Sequence, residues 1–339
     1  MDYVSDSQLR DIIRRYYLDI LKREPDPGGI EFYLIKIKNK EIPLEAIPDI
    51  FKNSPEFLNL QEKTGGIESR NHNQTSHSLV ENNVTKKVID GHTLYFDPHD
   101  KILLETFSQD KYEQATTNAI KKLVKRGMNV INIGANIGYF TLLIARQVGP
   151  EGKVISFEPS VDTAKFLQRN VDTNGCKNVE VHVKAVSNKS GTSDFWVGGS
   201  STHSFVSELK TQSYPQLSKV HVETTTIDDF LKNRDFRIDF IMMDAEGSEK
   251  YILEGMQRTL ENNPDLEIIT EYNQYTLRLA ETDGRSFLDL IEKLGLSIFL
   301  IDEKDEKLKP VSKEQILEKI VSPNLANLLL TRKRDLVTS

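Results

Sequence analysis

A single cysteine, Cys176, stands in 339 residues, which excludes an intramolecular disulfide and a cysteine-rich metal site. It follows Asn174-Gly175 near the end of an expected helix and reads as a small, at least half-buried side chain. Long hydrophobic runs are also missing. No apolar stretch approaches the ~20 residues that a membrane-spanning helix needs. The N-terminal MDYVSDSQLRD has neither the basic nor the apolar region of a signal peptide, so a cytoplasmic protein is expected. No basic stripe is present either: 44 basic and 51 acidic residues are interspersed and give a net charge of −7. That balance argues against a nucleic-acid substrate. The apolar fraction of 38% still allows a folded core once a polar linker is set aside.

What is present falls into three parts: a helical domain over 1–60, a linker over 61–83 and a large domain over 84–339. In the first, Leu9, Ile12, Ile13, Tyr16, Tyr17, Ile20 and Leu21 recur at spacings of three and four and share one helical face. Ser5 or Asp6 caps its start, and Pro25-Asp26-Pro27-Gly28-Gly29 stops it. Amphipathic stretches Ile30–Ile37 and Leu44–Phe51 follow. The segment from Tyr17 to Gly29, with Ser54-Pro55-Glu56-Phe57 beyond, resembles a small helical domain of unknown function. That domain recurs in bacterial surface and glycan-related proteins, and it offers a surface for a protein partner. A three-helix packing unit describes the same residues equally well. Residues 61–83 are polar and aperiodic, as a linker is, and His72 and His77 inside them read as solvated.

From residue 84 the texture changes. A hairpin over Lys87–Phe96, turning at Asp90-Gly91, precedes a helix over Glu113–Lys125. Strands and helices then alternate: strand Val130–Ile133, helix Tyr139–Gln147, strand Lys153–Phe157, helix Val161–Asn174 and strand Val179–Val186. After a polar insertion come strand Ile238–Met243, helix Ser248–Glu261, strand Leu266–Thr270, helix Arg285–Leu294 and strands Ser297–Ile301 and Leu325–Thr331. Short apolar strands, each followed by a helix, predict an α/β doubly wound, mostly parallel sheet covered on both faces. The last two strands lack a long connecting helix and are expected to pair antiparallel at the edge.

Ligands of such sheets bind outside the carboxyl ends of the strands. The first such end is Val130-Ile131-Asn132-Ile133 running into Gly134-Ala135-Asn136-Ile137-Gly138. Gly134 permits a tight turn, and Gly138 lets the following helix approach strand and ligand closely. The dinucleotide fingerprint is broken, because Asn136 stands at its second glycine. That counts against a nicotinamide cofactor. About 20 residues on, Glu158 ends the second strand, where an acid can accept from both ribose hydroxyls of an adenosine.

Asn132–Thr141, then Phe157-Glu158-Pro159, then Asp244-Ala245-Glu246-Gly247-Ser248-Glu249 resemble the FkbM-type methyltransferase family, over about residues 88 to 275. The resemblance implies a Rossmann-like methyltransferase fold and S-adenosylmethionine as methyl donor. It also implies an oxygen acceptor on a saccharide or other small or glycan-linked metabolite. Methyltransferases of this class generally carry an acid where this chain has Asn132, which keeps the hydrogen-bonding shape without the charge. Candidate cofactor residues are Glu113, Asn132, Gly134, Ala135, Asn136, Gly138, Tyr139, Glu158, Pro159, Ala185 and Asp244.

In-line methyl transfer needs donor and acceptor held at near-attack distance. An alcohol acceptor also needs a base within hydrogen-bond reach. Asp244 ends one strand, Glu246 begins the next helix and Glu271 ends the following strand, so all three are candidates for base and acceptor positioning. A divalent metal between Asp244 and Glu271 would lack a third ligand, and no metal is expected. His203 sits in the long polar insertion Gly198–Lys219 and is a fourth candidate, as a base on a lid. Two other readings compete: a nicotinamide-dependent oxidoreductase and a non-catalytic module that keeps the cofactor fold.

Overall fold

The computed structural model describes residues 6–25, 29–38, 44, 47–52, 84–108, 111–197, 204–206, 218–321 and 324–333. The proposed linker 61–83, His72, His77, the Ser54–Phe57 motif and His203 lie outside the described residues, as does most of the polar insertion. The chain divides into two compact units.

The N-terminal unit contains helices α1 (Asp6–Leu21), α2 (Gly29–Lys38) and α3 (Ile47–Lys52). The i, i+4 series Leu9, Ile13, Tyr17 and Leu21 is buried against Leu34, Ile47 and Phe51. Tyr17 and Phe51 pack edge to face at 4.6 Å between ring centres, a favoured aromatic geometry. Arg10 to Glu31 and Lys38 to Asp6 tie α1 to α2 along the polar side.

The large unit opens with a hairpin, β1 (Thr85–Ile89) and β2 (His92–Phe96), then α4 (Lys101–Thr106) and α5 (Gln114–Leu123). The alternation proper is β3 (Asn129–Ile133), α6 (Tyr139–Val148), β4 (Lys153–Phe157), α7 (Val161–Thr173) and β5 (Val179–His182). Next come β6 (Ala185–Val186), β7 (Gly191–Val197), β8 (Ser204–Val206), β9 (Ser218–Thr225) and α8 (Ile227–Leu231). The C-terminal part is β10 (Phe240–Met243), α9 (Glu249–Glu254), α10 (Gln257–Asn262), β11 (Glu267–Asn273), α11 (Gln274–Leu279) and α12 (Gly284–Lys293). It ends with β12 (Ser297–Asp302), β13 (Lys307–Pro310), α13 (Lys313–Lys319) and β14 (Leu325–Thr331).

Eight strands form the main sheet in the order β13-β12-β14-β11-β10-β3-β4-β5. The run from β11 to β5 is parallel, and β14, β12 and β13 are added antiparallel. The order reverses at β3, which has β4 on one side and β10 on the other, so the crevice opens where such sheets bind ligands. Side chains alternate between faces. Ile131 and Ile133 enter the core with α9 and α12, and Val130 enters the opposite core with α6 and the hairpin.

Several elements differ from the sequence expectation. Val179–Val186 is two strands, because the chain turns at Val183-Lys184 and β6 joins a separate four-stranded sheet, β6-β9-β7-β8. The expected helix Ser248–Glu261 breaks at Gly255, where a Cβ would lie 2.3 Å from the Ser187 carbonyl oxygen. β11 extends to Asn273, so Glu271 lies inside a strand, whereas β12 and β14 pair antiparallel at one side of the sheet as expected, with β13 added as its outermost strand. The connection before β14 does hold a helix, α13, closed by a reciprocal Ser312–Gln315 capping box.

Candidate active site

At the carboxyl ends of β3, β4 and β10 the chain forms an open crevice, lined by the glycine loop, the ends of β3 and β4, and the loop after β10, where ligands of such sheets bind. Its floor is zipped together by backbone bonds between successive strand ends. The amides of Gly134 and Ala135 donate to the Phe157 carbonyl at 3.0 and 2.9 Å, and that of Asp244 donates to Ile133 at 3.0 Å. Gly134 has φ +73°, and a Cβ there would fall 1.7 Å from the Asp244 carbonyl oxygen. Its glycine is therefore demanded by the neighbouring strand end as well as by the turn. Gly138, at φ +101°, would meet Leu167 of α7, so its close approach is to a helix and not to the crevice.

Glu158 is buried, and both carboxylate oxygens are held by backbone amides, Asn136 at 2.9 Å and Ser160 at 2.9 Å. Burial outweighs those bonds and pushes its pKa up to about 7. Asn136 reaches Glu158 in a left-handed conformation, φ 48°, which asparagine tolerates. Glu158, Pro159, Phe157, Ala185, Val186, Lys184 and Phe195 line one half of the crevice.

Asn132 is placed elsewhere. Strand alternation sets it on the Val130 face, where its amide donates to Thr141 Oγ1 at 2.8 Å under α6. Thr141 in turn meets Ser156 Oγ at 3.0 Å. Asn132 therefore joins strand to helix beneath the crevice and does not line it. Tyr139 lends its ring to the lining, while its hydroxyl donates to Asp90 on the hairpin turn.

The other half of the crevice is acidic. Asp244 and Glu246 line it, and Glu271 and Glu113 are close enough to enter the same electrostatic group. Burial, followed by repulsion from Glu249, raises Asp244 to about 7. Burial and then repulsion from Asp244 raise Glu113 to about 7 and push Glu246 and Glu271 well above the carboxylate range. Glu113 is held at φ 37° and accepts from Asn327 Nδ2 at 2.9 Å and from the Tyr112 hydroxyl. Three atoms here are buried with no hydrogen-bond partner: Asp244 Oδ1, Ser248 Oγ and Glu271 Oε2. Buried polar atoms are rarely left so. Among the described residues, no group of three or more His, Cys, Asp or Glu side chains is arranged to hold a metal ion.

Sequence reasoning gave no role to Glu249, which clamps the acid loop from beneath. Its Oε1 accepts from the amides of Ala245 at 2.9 Å and Gly247 at 3.2 Å. An acid at the first turn of a helix, just after a glycine, is the signal that marked it. Phe107 and Phe140, which form an aromatic wall with Tyr112, were also missed, because the segment after α4 reaches α6 only through tertiary packing.

Residues 132–296 match the model of the methyltransferase FkbM domain. The chain carries an FkbM methyltransferase domain. Such a domain uses S-adenosylmethionine as its methyl donor, and the crevice fits that molecule. A group bearing both a sulfonium and an ammonium suits an acid-lined cleft with unpartnered acceptors. Residues 58–190 also match the model of protein-L-isoaspartate(D-aspartate) O-methyltransferase. Methyltransferase 1 of Beauveria bassiana (strain ARSEF 2860) is 25% identical over 144 residues, 38% of this chain and 57% of that protein. The chain thus spans little more than half the length of that curated relative. Among solved structures, an S-adenosylmethionine-dependent methyltransferase from Aquifex aeolicus is similar at TM-score 0.38 and 15% identity. The match covers 69% of this chain and 98% of that one. An S-adenosylmethionine-dependent O-methyltransferase from Thermotoga maritima is similar at TM-score 0.38 and 16% identity, covering 73% and 77%. No helix among the described residues is long and apolar enough to cross a membrane.

Proposed function

We propose that this protein is an S-adenosylmethionine-dependent O-methyltransferase acting on a hydroxyl of a saccharide or glycan-linked metabolite. The observation that carries the choice of oxygen is the acidic half of the crevice. Half-buried carboxylates crowded around Asp244 disfavour an anionic acceptor and supply a base for a neutral alcohol. When bound, S-adenosylmethionine supplies a methyl group whose S–C electron pair stays on sulfur as the acceptor oxygen takes the carbon.

Asp244 is the general base of this reading. Its proton affinity, raised to about 7, is close to the optimum for a base working near neutral pH. It takes the hydroxyl proton as the new O–C bond forms, and Glu246 and Glu271 orient the acceptor. His203 remains a proposed base on a lid, and the saccharide class rests on the family resemblance. The domain boundaries 1–60, 61–83 and 84–339, with the N-terminal helices as a docking unit for a protein partner, belong to the same proposal.

The test is to incubate the full chain with methyl-labelled S-adenosylmethionine and two acceptor sets, neutral oligosaccharides and uronic-acid oligosaccharides. Methyl ethers survive mild base, whereas methyl esters release methanol. Base-stable label on the neutral set is expected. Label confined to base-labile esters would overturn the choice of hydroxyl over carboxyl.

A further inference from the structure

The acidic half of the crevice gathers more carboxyl groups than a general base requires, and no basic neighbour among the described residues pairs with them. Among the described residues, no lysine, arginine or histidine forms an ion pair with Glu113, Asp244, Glu246, Glu249 or Glu271. Lys184, a basic residue of the lining, pairs with Glu223 at 2.7 Å. Local donors are committed elsewhere. Asn327 lies opposite Glu271 in register, but its amide hydrogens go to Glu113 at 2.9 Å and Thr116 at 2.8 Å. Glu271 Oε2 is left buried without a partner.

Ser248 makes a second, independent observation. It is 2% exposed, lines the crevice and precedes α9, yet its hydroxyl caps no backbone amide and has no partner. Ser248 thus lines the crevice with Asp244 and Glu246, and Glu271, also with an unpartnered oxygen, belongs to the same electrostatic group. Neighbouring strands are spaced about 4.8 Å apart, and β11 is two strands from β3. Glu271 is therefore roughly 10 Å across the sheet from the glycine loop and farther still from Glu158. A cofactor seated on the glycine loop beside Gly134 and Glu158 leaves Glu271 beyond it, on the acceptor side.

We infer that Glu271, with Glu246 and Ser248, forms a subsite for a protonated amine on the acceptor, so that the molecule methylated is an amino sugar or similar amino alcohol. The ammonium donates to Glu271 Oε2 and Ser248 Oγ and neutralises the acids that otherwise repel one another. This rests on the O-methylation reading for its substrate and deepens it.

The experiment uses the full chain saturated with S-adenosylhomocysteine. Binding of glucosamine, glucose, N-acetylglucosamine, ethanolamine and ethylene glycol is measured by ligand-observed NMR at pH 7.5. Glucosamine and ethanolamine are expected to bind at least about tenfold more tightly than their neutral counterparts, as expected for a charged hydrogen bond. Glu271→Gln is expected to remove that preference while S-adenosylhomocysteine affinity stays within about twofold. Gln relieves a buried repulsion, so this variant folds, which its thermal melt checks. Equal or absent binding of the amines overturns the subsite. So does a Glu271→Gln variant that keeps the preference but loses S-adenosylhomocysteine, since the acidic half would then serve the cofactor. Methyl transfer to neutral glycans without amine preference removes this inference and leaves O-methylation standing. Amine-selective binding with label only in base-labile esters does the reverse.

Discussion

Glu158 directly follows β4, Glu271 follows the part of β11 that pairs in parallel, and burial raises the proton affinity of both. They differ in what meets them. Two backbone amides hold Glu158, so its orientation is set before any ligand arrives. Glu271 has a bare oxygen and faces Asp244, Glu246, Glu249 and Glu113. The first is preorganised by the backbone, and the second is a proton-holding carboxyl with an unpartnered oxygen, held in place by the fold. The switch point of the sheet falls between them, so one crevice offers a half whose single acid is held by backbone amides and a half crowded with carboxyls.

The division can be broken first at Asp244, which belongs to the crowded half. Asp244→Asn is expected to lower kcat by ~10²–10⁴-fold while S-adenosylhomocysteine affinity, read by calorimetry, changes far less. A variant that binds poorly but turns over normally at saturation would move Asp244 to the cofactor side. The same base predicts kcat/KM rising with pH and levelling above about 7, where Asp244 is ionised.

Next in size is the seam between the halves. Gly134→Ala drives a Cβ into the Asp244 carbonyl at positive φ, and a loss of about 3 kcal/mol in urea unfolding is expected. A near-wild-type midpoint would mean the strand ends are not tied there. On the amide-held half, Glu158→Ala is expected to weaken S-adenosylhomocysteine binding by ~1–3 kcal/mol with kcat at saturation little altered. Unchanged affinity would put the ribose elsewhere.

The smallest effect separates folded from unfolded charge. Glu113, Glu158 and Asp244 are raised to about 7 from 4.5, 4.5 and 3.8. Between those limits the folded chain binds more protons than the unfolded one, so the stability of the ligand-free protein falls as pH rises from about 4 to about 7. Urea midpoints at pH 5, 6, 7 and 8 test this, and Glu271→Gln should flatten the slope. A midpoint rising over that range would reverse the sign.

The glycine loop, Glu158 and the Asp244–Glu249 motif were legible because each depends on residues close in sequence at a strand end. Asn132 was misplaced by the same local view, since only sheet alternation and Thr141 decide which face it takes. Asn170 and Asn174 show the same limit. One helical turn apart on α7, they bond the backbone of Tyr95 and Thr93 and seal the hairpin edge, a partnership no spacing announces.

Taken alone, the sequence determined the alternation of strands and helices, the family and the cofactor, because periodicity and turn chemistry are local. Only the tertiary structure decided that five carboxyl groups from α5, β10, α9 and β11 and the loops beside them come together in one electrostatic group, and that two acceptors there have no partner. Burial and mutual repulsion act between segments distant in the chain, and they give the acidic half its chemistry.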